Sequence, residues 1–172
     1  MKMKISALFV VACLLTSSAS ADRTDFATWT AGGSLMVDSA SIFGTDIVLD
    51  LDLGQYIYTG LMAGGYARLE DNDILTSFSG GAMGKYHFFD DGSTPFAPYV
   101  GGRLGMMYAS TEQDDTFALV IGAKLGMNYF LTENVALDAS ANATLATGDV
   151  FTDTDGLTNT DLTLTIGLEF FF

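Results

Sequence analysis

Beyond its N-terminal stretch the chain has no run of about 18 apolar residues, so no transmembrane helix is predicted for the mature protein. It carries one cysteine, one histidine and two prolines. The cysteine, Cys13, lies in the leader described below, and if it leaves with that leader the mature chain needs no disulfide and has no thiol chemistry. Base is scarce as well. Two of the seven Lys and Arg fall in the leader, which leaves five against 21 Asp and Glu, a net charge of −16. That balance speaks against nucleic acid or an anionic phosphate surface as partner.

Apolar content is high instead. Charged residues make up only 16% of the chain and mean hydropathy is +0.32, oilier than most soluble domains. Residues 1–21 read as a cleaved export signal. Lys2 and Lys4 form its positive end, Ile5 to Leu15 its apolar segment, and Ala19-Ser20-Ala21 its small-residue cleavage site, leaving Asp22 as the mature start. Val10-Val11-Ala12-Cys13 loosely resembles a lipoprotein box, but Leu14-Leu15 continue the apolar segment past it.

The strongest pattern lies at the other end, in Thr160 to Phe172. Leu162, Leu164, Ile166, Leu168, Phe170 and Phe172 alternate with Asp161, Thr163, Thr165, Gly167 and Glu169, and only Phe171 breaks the rule. Strict period-two alternation predicts a strand with one oily and one polar face. The same reading predicts seven more strands, at about 26–38, 46–57, 61–70, 75–89, 96–109, 117–130 and 135–146. A bulge is possible near Gln55-Tyr56, and 148–159 is the longest loop. The fold class is all-β: an eight-stranded antiparallel up-and-down transmembrane β-barrel over residues 22–172. About twelve residues per strand, tilted, match the hydrocarbon thickness.

Charge placement gives the barrel its polarity. Arg68, Lys85, Arg103 and Lys124 all fall on the polar parity of their strands, as do Asp50, Asp52, Glu70, His87, Asp138 and Glu169. A lipid-facing Lys or Arg at mid-depth would cost about 2–4 kcal/mol. These ten residues are therefore expected to form an interior network that fills a narrow barrel, with no open channel. Aromatics sort by depth too. Trp29, Tyr86, Phe88, Phe96, Tyr129, Phe170 and Phe172 fall near the short turns and termini, and Phe78, Tyr108 and Phe117 near the long loops. A soluble lipocalin-like binder would need the opposite polarity.

Site motifs are thin. His87 would need a nucleophile and an orienting acid beside it to be catalytic, and it reads as a packed interior residue. Asp153-Thr154-Asp155-Gly156 echoes part of a calcium loop, but Phe151 and Leu162 stand at the outer positions of that frame. The loop acids Asp71, Asp73, Glu112, Asp114, Asp115, Asp149, Asp153 and Asp155 read as a solvated rim. Gly64-Gly65, Gly80-Gly81 and Gly101-Gly102 have no helix after them to cradle a phosphate, and ease curvature instead. No catalytic residue, cofactor or metal is expected.

Three stretches carry a family resemblance: Gly84-Lys85-Tyr86-His87-Phe88-Phe89 through to Pro98-Tyr99-Val100-Gly101-Gly102-Arg103-Leu104-Gly105; Tyr129-Phe130-Leu131-Thr132-Glu133-Asn134; and Gly167 to Phe172. In order and spacing the chain resembles the small outer-membrane β-barrels, which include the OmpA transmembrane domain, OmpX and OmpW-like proteins. The resemblance implies an outer-membrane location, contact with outer-membrane lipid, and assembly by the barrel-insertion machinery reading Gly167, Leu168, Phe170 and Phe172. A monomer is expected, without the peptidoglycan-binding domain that follows the barrel in OmpA. The expected role is structural, with envelope integrity or surface interaction through short acidic loops. The alternatives are a narrow porin-like channel for small or apolar solutes and a lipid-modifying enzyme.

Overall fold

The computed structural model describes residues 24–41, 44–71, 75–88, 94–111, 115–153 and 156–172. The export signal with Cys13, and the loop acids Asp73, Glu112, Asp114 and Asp155, lie outside them.

Eight strands close into an antiparallel barrel: β1 (Trp29–Ser41), β2 (Gly44–Tyr58), β3 (Leu61–Asp71), β4 (Leu75–His87), β5 (Phe96–Thr111), β6 (Asp115–Thr132), β7 (Val135–Ala146) and β10 (Thr160–Phe171). Neighbours in sequence are neighbours in the wall, and β1 meets β10 to complete it. Alternation sets the register, because a slip of one residue would turn every leucine inward and every charge toward the exterior. The expected bulge is present, as a shift in the β2–β3 ladder between Tyr56 and Tyr58.

Strand ends shift by a residue or two from the sequence reading, as at β4, which stops at His87, β5, which runs to Thr111, and β6, which runs from Asp115 to Thr132, and three departures go further. The first strand begins at Trp29 and not at Phe26. Residues 24–28 instead turn beneath the barrel, where Ala27 N donates to Tyr56 O (2.8 Å) and Gly60 N donates to Thr24 O (3.0 Å). The backbones of β1 and β2 also run on through most of the expected loop at 39–45. The longest loop is not bare. It holds a hairpin of β8 (Phe151–Asp153) and β9 (Gly156–Thr158), which forms a sheet separate from the wall.

Seams are unequal in length. The β5–β6 ladder runs from Phe96↔Tyr129 to Ser110↔Asp115, whereas the β1–β10 ladder runs only from Thr30↔Phe171 to Ser34↔Gly167. The exterior wall is apolar. Leu162, Leu164 and Ile166 expose 80%, 76% and 67% of their surface, and Leu51, Leu53, Phe78, Leu104, Ile121 and Leu125 also face out. An apolar girdle of this extent is a liability in water and matches a hydrocarbon solvent. Tyr86 with Phe88 and Phe96 with Tyr129 pair at 5.0 Å near the turn end, and Tyr108 with Phe117 at 4.9 Å near the loop end. These pairs fall where the two membrane interfaces belong.

Candidate functional site

The interior is a column of layers. At the turn end Tyr56, Met62, Ala97, Phe130, Ala136 and Phe171 form a buried apolar cluster, with Met83 packed against it. Phe171, the residue that breaks the polar rule of the last strand, keeps its inward parity. Its ring lies 5.0 Å from that of Phe130. Above this seal the Tyr56 hydroxyl meets His87 Nδ1 at 3.0 Å, and the imidazole lies 5.1 Å from the Tyr99 ring.

The ionic layers follow. Lys85 Nζ donates to Asp52 (2.8 Å) and to Glu169 (3.0 Å), and Asn128 Nδ2 donates to the other oxygen of Glu169 (2.8 Å). Lys124 Nζ and the Tyr99 hydroxyl both donate to Asp138, at 2.9 and 2.6 Å. The two ammonium groups lie 5.4 and 5.6 Å from the Tyr99 ring centre, close enough for cation–π attraction. Arg103 pairs with Asp50 at 3.0 Å and lies over the Tyr66 ring at 5.3 Å. Highest, Arg68 pairs with Glu70 at 3.2 Å and Asp161 at 2.9 Å. Buried charges are tolerable only when paired in this way, since removing one partner strands the other in a low-dielectric interior.

Among the described residues, two small cavities interrupt the column. One of about 30 Å³ lies among Asp50, Asp52, Lys85, Arg103, Lys124 and Asn142. One of about 10 Å³ lies among Arg68, Ser79, Thr144 and Phe151. Tyr66 and Arg103 line both, so their stacked pair stands between them. Each has room for a water or so and neither is a passage. At the loop end Leu75, Met107, Ala109, Ala118, Val120, Val150 and Phe151 form a second apolar seal.

Of the ten residues expected in the network, nine are ion-paired: Asp50, Asp52, Arg68, Glu70, Lys85, Arg103, Lys124, Asp138 and Glu169. His87 is buried with them, but its resolved contacts are with tyrosines. Sequence reasoning passed over Asp161, Tyr99 and Asn128, which share the inward parity and complete the network. It also missed both seals. Their signal was there to read, in large apolar side chains at inward positions near the strand ends. Several inward glycines answer those large side chains: a Cβ at Gly126 would strike the Tyr99 ring, and one at Gly122 would lie 2.8 Å from Arg103 Cγ. In the terminal strand, Leu168 faces out and Gly167 lies inward against β1 at Gly33 and Ser34.

No protein-family model matches the chain, and no curated protein matches it in sequence. Solved structures do. Neisserial surface protein A (NspA) is 22% identical with a TM-score of 0.58, over 84% of this chain and 96% of that one. The N-terminal β-barrel domain of Pseudomonas aeruginosa OprF is 13% identical with a TM-score of 0.64, over 86% and 98%. The outer membrane protein OprG from Pseudomonas aeruginosa is 11% identical with a TM-score of 0.56, over 88% and 98%. At these identities the likeness is one of fold. The chain has the closed eight-stranded barrel of small outer-membrane proteins.

Proposed function

We propose that this protein is a sealed outer-membrane barrel whose work is structural, serving envelope integrity or surface interaction, and that it does not conduct. The observation that supports this is the column itself, with apolar clusters at both ends and side chains from opposite walls ion-paired between them. Water-filled pores need a continuous polar lumen, and here the cavities beside the ion pairs are small pockets, with Arg103 stacked on Tyr66 lining both. The apolar exterior fits a lipid solvent and argues against the lipocalin-like alternative. His87 sits above the turn-end seal between two tyrosines, away from the leaflet where a lipid-modifying enzyme would act.

Delivery to the membrane is part of the same reading. The export signal would carry the chain out, and Gly167, Leu168, Phe170 and Phe172 would present the terminal strand to the barrel-insertion machinery. The test is single-channel recording in planar bilayers with the folded protein. No reproducible conductance steps are expected, and steps of uniform size would hand the reading to the narrow porin-like channel.

A further inference from the structure

We propose that the loop end of the interior is a binding pocket for a small neutral molecule with a ring-sized apolar body and a hydrogen-bond acceptor, and that Phe151 fills it in this structure. Phe151 and Val150 come from the segment joining β7 to β10, yet both are buried, Phe151 at 3% exposure. They reach inward from a hairpin that shares no ladder with the wall. Among the described residues, Val150 N donates to Thr158 O (3.0 Å) within it and Ala146 N donates to Asn159 O (2.8 Å) at its base. The barrel ladders are complete without the hairpin, so displacing Phe151 costs the wall no strand pairing.

Under Phe151 the chemistry is that of a small-molecule site: apolar walls and a few convergent polar groups at the floor. Leu75, Met107, Ala118 and Val120 supply the walls. Arg68, Tyr66, Ser79 and Thr144 line the cavity beneath the ring. Arg68 Nε and the Tyr66 hydroxyl are buried, and neither has an acceptor for its proton in the structure, while Ser79 stands beside the Tyr66 oxygen. Both can donate, and a buried donor without an acceptor is costly. A carbonyl oxygen placed there would answer both. The guanidinium charges are already balanced, Arg68 by Glu70 and Asp161 and Arg103 by Asp50, and the chain is strongly acidic. A neutral acceptor therefore fits better than an anion. Because Phe151 competes for the space, the wild type pays a conformational tax on affinity that truncation removes.

The test compares acetophenone with ethylbenzene, which matches it in size but lacks the oxygen, by NMR titration of the folded full barrel in detergent. In Phe151→Ala, acetophenone is expected to saturate shifts at the amides of Arg68, Ser79 and Val120 with a Kd at least about ten-fold below that of the wild type. Ethylbenzene is expected to bind at least about five-fold more weakly, and adding Tyr66→Phe should narrow that gap. Phe151→Leu, a smaller truncation, repeats the comparison if Phe151→Ala does not fold. Equal binding of the two probes overturns the proposal. So do shifts confined to outward positions such as Leu162 and Leu164, which would show partition into detergent only. Conductance plays no part in this readout, so a barrel that proves to conduct leaves the pocket to stand or fall on its own.

Discussion

Lys85 Nζ stands 3.0 Å from Glu169 Oε1, and the two side chains each expose 1% of their surface. The ammonium also holds Asp52 at 2.8 Å, so one cation serves two carboxylates from β2 and β10. The two losses are therefore unequal. Lys85→Met strands both acids, and a broken buried pair of this kind costs about 3–5 kcal/mol. Glu169→Gln leaves Lys85 its bond to Asp52 and is expected to cost clearly less. Urea unfolding of the folded barrel in detergent measures both, and the double variant should recover part of the Lys85→Met loss. Equal costs for the two single variants would mean that the pair is not the centre of the network.

Gly126 and Gly102 test the interior and exterior of the wall separately. Tyr99 lies across Gly126, where an added Cβ would be 2.8 Å from Cε1 of that ring. At outward-facing Gly102 the nearest atom to such a Cβ is Gly122 O, 3.6 Å away. Gly126→Ala is expected to cost about 1–3 kcal/mol by displacing Tyr99 from Asp138, and Gly102→Ala to be close to neutral. The comparison is read in the same urea unfolding. A neutral Gly126→Ala would mean that Tyr99 repacks freely.

Phe171 and Phe172 are adjacent, and different roles follow from their parity. Phe171 is sealed against Phe130 at the turn end. Its truncation to alanine is expected to cost about 3–5 kcal/mol in unfolding experiments, as for other buried aromatics. Phe172 is partly exposed and lies outside that cluster, so Phe172→Ala should barely move the unfolding midpoint. If the insertion machinery reads Phe172, that variant should instead lower the inserted fraction in cells, scored by heat-modifiable gel mobility. A destabilised Phe172→Ala, or one inserted as well as the wild type, would count against this division of labour.

How much of this was legible follows from the physics of the strand. Period-two alternation fixes which side of the wall each residue takes, so Arg68, Lys85, Arg103 and Lys124 could be placed inside from sequence alone. Parity does not say how far a side chain reaches across the lumen. Arg68 on β3 meets Asp161 on β10, and no spacing along the chain encodes that distance. Nor does parity distinguish an inward apolar residue that seals an end from an exception to the pattern, which is how Phe171 stood out. The hairpin at 151–158 was hidden for another reason: strands of three residues are too short to show alternation.

The short β1–β10 ladder carries the last prediction. Every amide in the interior of a closed wall has a carbonyl partner on one side or the other. Above Ser34↔Gly167 the β10 strand keeps β7 beside it, from Ile166↔Ala139 up to Thr160↔Leu145, whereas its ladder to β1 has ended. Every second amide from Asp161 to Ile166 should therefore lack a strand acceptor. In lipid such an edge is expensive, so this half of the seam should be the weakest part of the wall. Hydrogen exchange read by NMR on the folded barrel is expected to show an alternating pattern there. Amides directed at β1 should exchange at least about ten-fold faster than those directed at β7, and faster than any in the β5–β6 ladder. Uniform protection from Asp161 to Ile166, at the level of Val100 to Leu104, would show that β1 and β10 pair along their whole length in solution.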